Sequence, residues 1–104
     1  MTLLDETLQI SAFRIDDVAV VVVRGEIDTT TAQSLRATFN TLRHMDHVYV
    51  DCAGVVSIDR SGMRVLEDLA ARNVAAGAPL HMLASAEVRR RIEIAGLEQL
   101  FSLD

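Results

Sequence analysis

Apolar positions along the chain change their spacing several times, and each change marks an element. LQISAFRI, residues 8–15, has the length and alternation of a strand and ends at Asp16-Asp17, a pair that predicts a tight hairpin turn. VAVVVVR, Val18 to Arg24, follows as an unbroken β-branched run. Such a run predicts a strand buried on both faces, with helices above and below or at least a second layer. Gly25 is expected to break it. From EIDTTTAQSL onward the spacing becomes helical: Ala32, Leu35, Phe39 and Leu42 fall on one side. Thr30 with Gln33 three residues on fits a capping box at the start of this helix. HVYVDC, residues 47–52, predicts another short strand, with AGVVSIDRSG as the loop after it.

A second helix is predicted from about Gly62 to Ala76, burying Val65, Leu66, Leu69, Ala70 and Val74. Arg64–Asp68 and Asp68–Arg72 are spaced as i,i+4 charge pairs on its other side. Gly77 sits where a left-handed C-terminal cap belongs, and Pro79 discourages continuation. LHMLA reads as a strand. Ser85 is placed to cap a third helix, with Val88, Ile92 and Ala95 inward and Gly96 at its end. The order β-β-α-β-α-β-α predicts an α/β fold, a mixed β-sheet with helices packed against it and at least two parallel crossovers. With no repeat, linker or composition shift, residues 1–104 are expected to form a single domain.

Composition narrows the function classes. Half of the residues are hydrophobic, but aromatics make up 4% and Trp is absent, so the core must be built from Val, Leu, Ile and Ala. No apolar run approaches the ~18 residues that span a bilayer, and the N-terminus lacks a basic-then-apolar leader. The expectation is a cytoplasmic protein without membrane insertion, monomeric when free. The net charge of −5 argues against nucleic acid as a partner. Arg89-Arg90-Arg91 is short, flanked by Glu87 and Glu93, and reads as a solvated helix face. The single cysteine, Cys52, rules out an internal disulfide and reads as an inert core thiol.

Candidate chemistry gathers in two polar stretches. In an α/β sheet, loops at the carboxyl ends of the strands share one edge. Glu26-Ile27-Asp28-Thr29 and Ser57 to Ser61 are two such loops. If their strands are neighbours, Asp28 and Asp59 lie close to the Ser61 hydroxyl, at a helix start suited to an anion. Ser61 could be the helix cap or a group to be modified; Asp59 could equally cap. Catalysis is poorly supported. His44 and His47 flank a surface turn, and His81, inside an apolar strand, reads as a hydrogen-bonded core residue. No nucleophile elbow, phosphate loop or metal-ligand spacing is present, so neither an enzyme nor a cofactor is expected.

Three segments resemble the STAS domain family, in particular the bacterial anti-sigma factor antagonists. RGEIDTTTAQSL is similar to the family's G-E-[LI]-D-x-x-[TS]-A segment, VVSIDRSGMRVL to [FI]-[ILM]-D-[ST]-[ST]-G-L-x-x-[LI], and SAEVRRRIEIAGL to S-x-x-[VI]-x-[RK]-[IL]-[FL]-x-x-[ST]-G-[LI]. They occur in the family's order and spacing. The resemblance implies a STAS fold and a transcription-regulating module that binds an anti-sigma factor, itself a serine kinase, and so frees a sigma factor. It further implies that phosphorylation of the serine before the glycine ends binding and that a serine phosphatase restores it. Carried over by position, the phosphoacceptor is Ser61. The residues expected to bind the partner are Asp28, Thr29, Ser57, Asp59, Arg60, Gly62, Met63 and Arg64. Arg60 departs from the pattern, standing where the family usually has Ser or Thr. The chain also ends at LFSLD, where many antagonists continue into an amphipathic helix. That short form resembles the STAS subunit of lipid-transporting ABC complexes, a docking module without a phospho-switch. The outer face of the second helix carries Arg64, Asp68, Ala71 and Ala75, whose small members would let a partner helix come close.

Overall fold

The turn at Asp16-Asp17 starts the sheet. Asp16 takes a left-handed φ of 54°, a conformation that Asp tolerates better than most residues. This lets β2 (Leu8–Ile15) fold back antiparallel on β3 (Val18–Ile27), with Ile15 opposite Val18. The computed structural model describes residues 7–45 and 47–104, and of residues 2–4 the backbone. After β3 come α1 (Thr29–Thr41), β4 (His47–Ile58), α2 (Arg60–Ala75), β5 (Leu80–Ala84) and α3 (Ala86–Ile94). Two short strands frame this set: β1 (Thr2–Leu4) and, after a 3-10 turn at Glu98–Leu100, β6 (Phe101–Leu103). The six strands lie in sequence order, β1 to β3 antiparallel and β3 to β6 parallel. The sheet is therefore mixed and the fold α/β, as the sequence pattern predicts. Three successive crossovers run the same way across it, and right-handed connections stack their helices on one common face.

Burial follows that one-sided arrangement. Ala12, Val21, Val50 and Met82 are register partners across four strands, and all are buried. Their neighbours Phe13, Val20, Tyr49 and His81 form the next cross-strand row, pointing to the opposite face, where exposure is partial or high. This corrects two expectations. The valine run of β3 is buried on alternate residues and not on both faces. His81 is exposed, not a core histidine. The helices close the core with Ala32, Leu35 and Phe39 from α1, Val65, Leu66, Leu69 and Ala70 from α2, and Val88 and Ile92 from α3. Leu42 packs partly against it, whereas Val74 and Ala95, expected inside, are exposed.

Strand lengths also differ from the pattern-based reading. Gly25 does not end β3. It sits at φ 109° beside register shifts in the β3–β4 pairing, and a β-carbon there would collide with the Thr7 carbonyl. The glycine bends the strand and lets it continue to Ile27. Its partner β4 likewise runs through Ala53 to Ile58, a stretch expected to be loop. Gly77 (φ 122°) and Gly96 (φ 70°) both stand just beyond helix ends, as expected of C-terminal caps.

Candidate functional site

The extension of β3 and β4 builds the site. Ile27 and Ile58 are register partners at the ends of two parallel neighbours, and the Asp59 N–H donates to the Ile27 carbonyl at 3.0 Å. Asp28 and Asp59 therefore occupy equivalent places side by side. Each is the N-cap of the helix that follows.

Asp28 Oδ1 accepts from the N–H groups of Thr30 and Thr31 at 3.0 and 2.9 Å. The Thr31 hydroxyl accepts in return from the Asp28 N–H at 2.8 Å and lies 3.0 Å from the Glu26 carbonyl. The capping box is thus Asp28 with Thr31, not Thr30 with Gln33, because the helix begins earlier than the apolar spacing suggests. Thr31 is the residue that the pattern-based reading missed; the acid and hydroxyl three residues apart were the available signal. These bonds, the Thr31 N–H foremost, hold the Asp28 carboxyl below its ordinary 3.8. Asp59 caps α2 by accepting from the Gly62 N–H at 3.0 Å.

That assignment decides one of the two readings of Ser61. It is the second residue of α2, and its hydroxyl is not the helix cap. The side chain is partly exposed, with its Oγ 3.4 Å from Thr29 Oγ1 across the gap between the two helix starts. First-turn N–H groups of a helix lack intrahelical acceptors and carry partial positive charge, so an anion at this position meets favourable dipoles.

Among the other candidate residues, Ser57, Asp28, Thr29, Arg60 and Arg64 are exposed, Asp59 partly so, and Gly62 and Met63 are buried. Gly62 has a packing reason to be glycine. A β-carbon there would lie 2.6 Å from Ile27 Cγ2 and 2.7 Å from Ile58 Cγ1, the two residues that end β3 and β4. The close approach brings the first turn of α2 onto the strand ends and sets the height of Ser61 above the sheet edge. Arg64 shares a shallow depression with Ser61, Thr29 and Arg36 between the helices. Arg36 in turn pairs with Asp68 at 2.9 Å, tying α1 to α2. Asp68 thus bonds across helices, where i,i+4 pairing with Arg64 or Arg72 was expected.

The histidines lie elsewhere. His47 begins β4 and His81 lies near the start of β5, at the opposite end of these parallel strands from Ser61. Among the described residues, no cluster of three or more His, Cys, Asp or Glu side chains could hold a metal ion. Cys52 is fully buried in β4, and burial pushes its thiol up to about 12. No helix of the described residues is long and apolar enough to cross a membrane.

Comparison with known proteins follows the same line. The sequence model of the STAS domain matches residues 9–104. The chain belongs to the STAS domain family. Solved structures with this fold include an anti-sigma factor antagonist from Mycobacterium paratuberculosis, at TM-score 0.79 and 24% identity over 93% of this chain and 85% of that one. The anti-sigma factor antagonist SpoIIAA in its unphosphorylated form superposes at TM-score 0.73, with 17% identity over 91% of this chain and 87% of its own. The phosphorylated form of SpoIIAA, a cell fate determinant of Bacillus, gives 0.69 and 15% over 91% and 90%. No curated protein sequence matches this STAS domain. At these identities the likeness establishes the fold, and the site must be argued from its own residues.

Proposed function

We propose that this STAS domain is an anti-sigma factor antagonist, and that phosphorylation of Ser61 by a partner kinase switches its binding off. The observation that carries the reading is the pairing of Asp28-Thr29 with Asp59-Arg60-Ser61 at the edge where two helices start, with the serine hydroxyl left over from capping. A hydroxyl that does not cap its helix, makes one long hydrogen bond to Thr29 Oγ1 at 3.4 Å, and stands partly exposed in the first turn of α2 is suited to accept a phosphoryl group. Solved structures of the same fold support the role: several are anti-sigma factor antagonists, one of them known in phosphorylated and unphosphorylated forms, while the fold also occurs in the anion transporter Slc26a9. On this reading Asp28, Thr29, Ser57, Asp59, Arg60 and Arg64 contact the partner, with Gly62 and Met63 shaping the surface from beneath. A serine phosphatase resets the switch.

The phosphate adds roughly −1.5 to −2 charges. A partner carboxylate at ~5 Å would be repelled by about 3 kcal/mol per unit charge at an effective dielectric of ~20, before screening by salt. Arg60 offsets part of this, so the sign is set and the size is reduced. The test is phosphoryl transfer from labelled ATP by the protein that co-purifies with this one. Wild type should be labelled and Ser61→Ala should not, and the phosphorylated chain should bind that partner more weakly. Equal labelling of Ser61→Ala would overturn the assignment. Co-purification of an ABC ATPase, with binding indifferent to Ser61→Glu, would favour the transporter-type docking module instead.

A further inference from the structure

Charge is distributed unevenly around the molecule. The net charge is −5, yet α1 carries no acidic residue at all. The furrow between α1 and α2 runs from Ser61 and Thr29 at one end towards the C-terminal ends of both helices. Among the described residues, its walls carry Arg36, Arg43, Arg64 and Arg72 against one acid, Asp68, and its floor is Phe39, Val65 and Leu69. All four arginines are exposed. Among the described residues, Arg36 alone of the four is engaged in an ion pair, with Asp68, and both side chains of that pair remain about half exposed. Ala37 and Ala71 leave room between the cations.

We infer that this furrow is a docking track for an acidic helix of the partner protein. The inference rests on the proposed antagonist role and adds the chemistry of what is bound. The α2 wall is 16 residues long, about 24 Å, which fits a helix of four to five turns. Arg64 and Arg72 are about 12 Å apart along the α2 axis, the spacing of carboxylates two turns apart on a helix lying alongside. Guanidinium groups hold carboxylates through paired, geometrically fixed bonds, so the track selects for Asp and Glu. Net negative charge elsewhere repels a polyanionic nucleic acid, which cannot confine its charge to one narrow furrow. Ser61 lies at the head of the track beside Arg64. A phosphoryl group there competes for Arg64 with the incoming carboxylates, so modification weakens docking within this chain as well as by repulsion.

The experiment titrates the full isotopically labelled chain with a synthetic Glu-Ala helical peptide, against its Gln-Ala counterpart and a short DNA duplex. Amide shifts should move at Ala37, Asn40 and Ala71 with the acidic peptide and stay put with the neutral one. Arg36→Gln combined with Arg72→Gln should weaken binding roughly five- to tenfold, as two exposed ion pairs would. Arg14→Gln and Arg90→Gln, away from the furrow, should leave it unchanged, and melting curves should confirm that all variants fold. Phosphoserine installed at Ser61 should weaken the acidic peptide. Shifts outside the furrow, equal binding of the neutral peptide, indifference to the paired substitution, or tighter binding of the duplex through the same arginines would overturn the docking track. An unweakened peptide on the phosphorylated chain would overturn the competition. Furrow binding without kinase labelling of Ser61 would leave the track standing and remove the switch; labelling without furrow binding would do the reverse.

Discussion

Asp59 and Ser61 are two residues apart and hold opposite obligations. Asp59 caps α2, so Asp59→Ala should cost about 1 kcal/mol in chemical denaturation, while Asp59→Asn, which keeps a capping oxygen, should stay within ~0.5 kcal/mol. Ser61 caps nothing, so Ser61→Ala should also stay within ~0.5 kcal/mol. A loss above ~1 kcal/mol in Ser61→Ala would mean that its hydroxyl serves the fold. Asp28 adds a pH dependence. Its folded-state carboxyl titrates below the ordinary 3.8, so it contributes stability at pH values above that point, and the contribution is lost as pH falls through the lower folded value. The separation between the stability curves of wild type and Asp28→Asn should therefore be constant above pH ~3.8 and shrink below it, as pH falls towards the lower folded value. A separation that persists unchanged into strong acid would assign the difference to packing. Which residue caps was not legible from residue type, because Asp, Thr and Ser are all good caps. The choice was made by where β3 and β4 end.

At the scale of elements, the helices and inner strands were legible and their ends were not. The apolar spacing of Ala32, Leu35 and Phe39, and of Val65, Leu66 and Leu69, located both helices because one face must enter the core. Val18 to Arg24 gave β3 but hid its alternation, since valine outside and valine inside look alike in a sequence. The extension of β4 to Ile58 was invisible for a different reason: Ala53-Gly54 has low strand propensity, and pairing with β3 overrides it. The two short strands β1 and β6 exist through sheet pairing and left no pattern of their own. Gly62 shows the same limit at the site, since it looks like a permissive helix opener and is a contact surface. Gly62→Ala should destabilise by about 1–3 kcal/mol through overpacking against Ile27 and Ile58, although alanine is the better helix former. It should also displace Ser61, so phosphoryl transfer should fall more than for Ser61-distant variants of equal stability. A stabilising Gly62→Ala would mean the strand ends can yield. Leu66→Ala, at a fully buried position, should cost about 2–5 kcal/mol.

The whole molecule joins the site to the core through β4, and one thiol reports on that joint. β4 lies between β3 and β5, ends at the site, and carries Cys52 at zero exposure near its middle. The thiolate is the reactive form, and burial holds the thiol near 12, so the folded protein should ignore a disulfide reagent at neutral pH. Labelling must then pass through an opened state. If strands and helices share one core, as the packing of α1, α2 and α3 residues with all inner strands indicates, that opening is global unfolding. The free energy of opening from the labelling rate, under conditions where closing outpaces labelling, should then equal the free energy from denaturant unfolding. Destabilising variants in α1, α2 or α3 should raise the labelling rate in proportion to their measured loss of stability, whichever helix they occupy. A Leu66→Ala change should accelerate labelling and an Ile92→Ala change should do so by the same rule. If instead Cys52 labels with an opening energy well below the global value, and responds to α3 variants but not to α1 variants, then β5, α3 and β6 open as a separate unit. Such a result would place the site edge of β3 and β4 on the stable part of the molecule and the other edge of the sheet on the part that breathes.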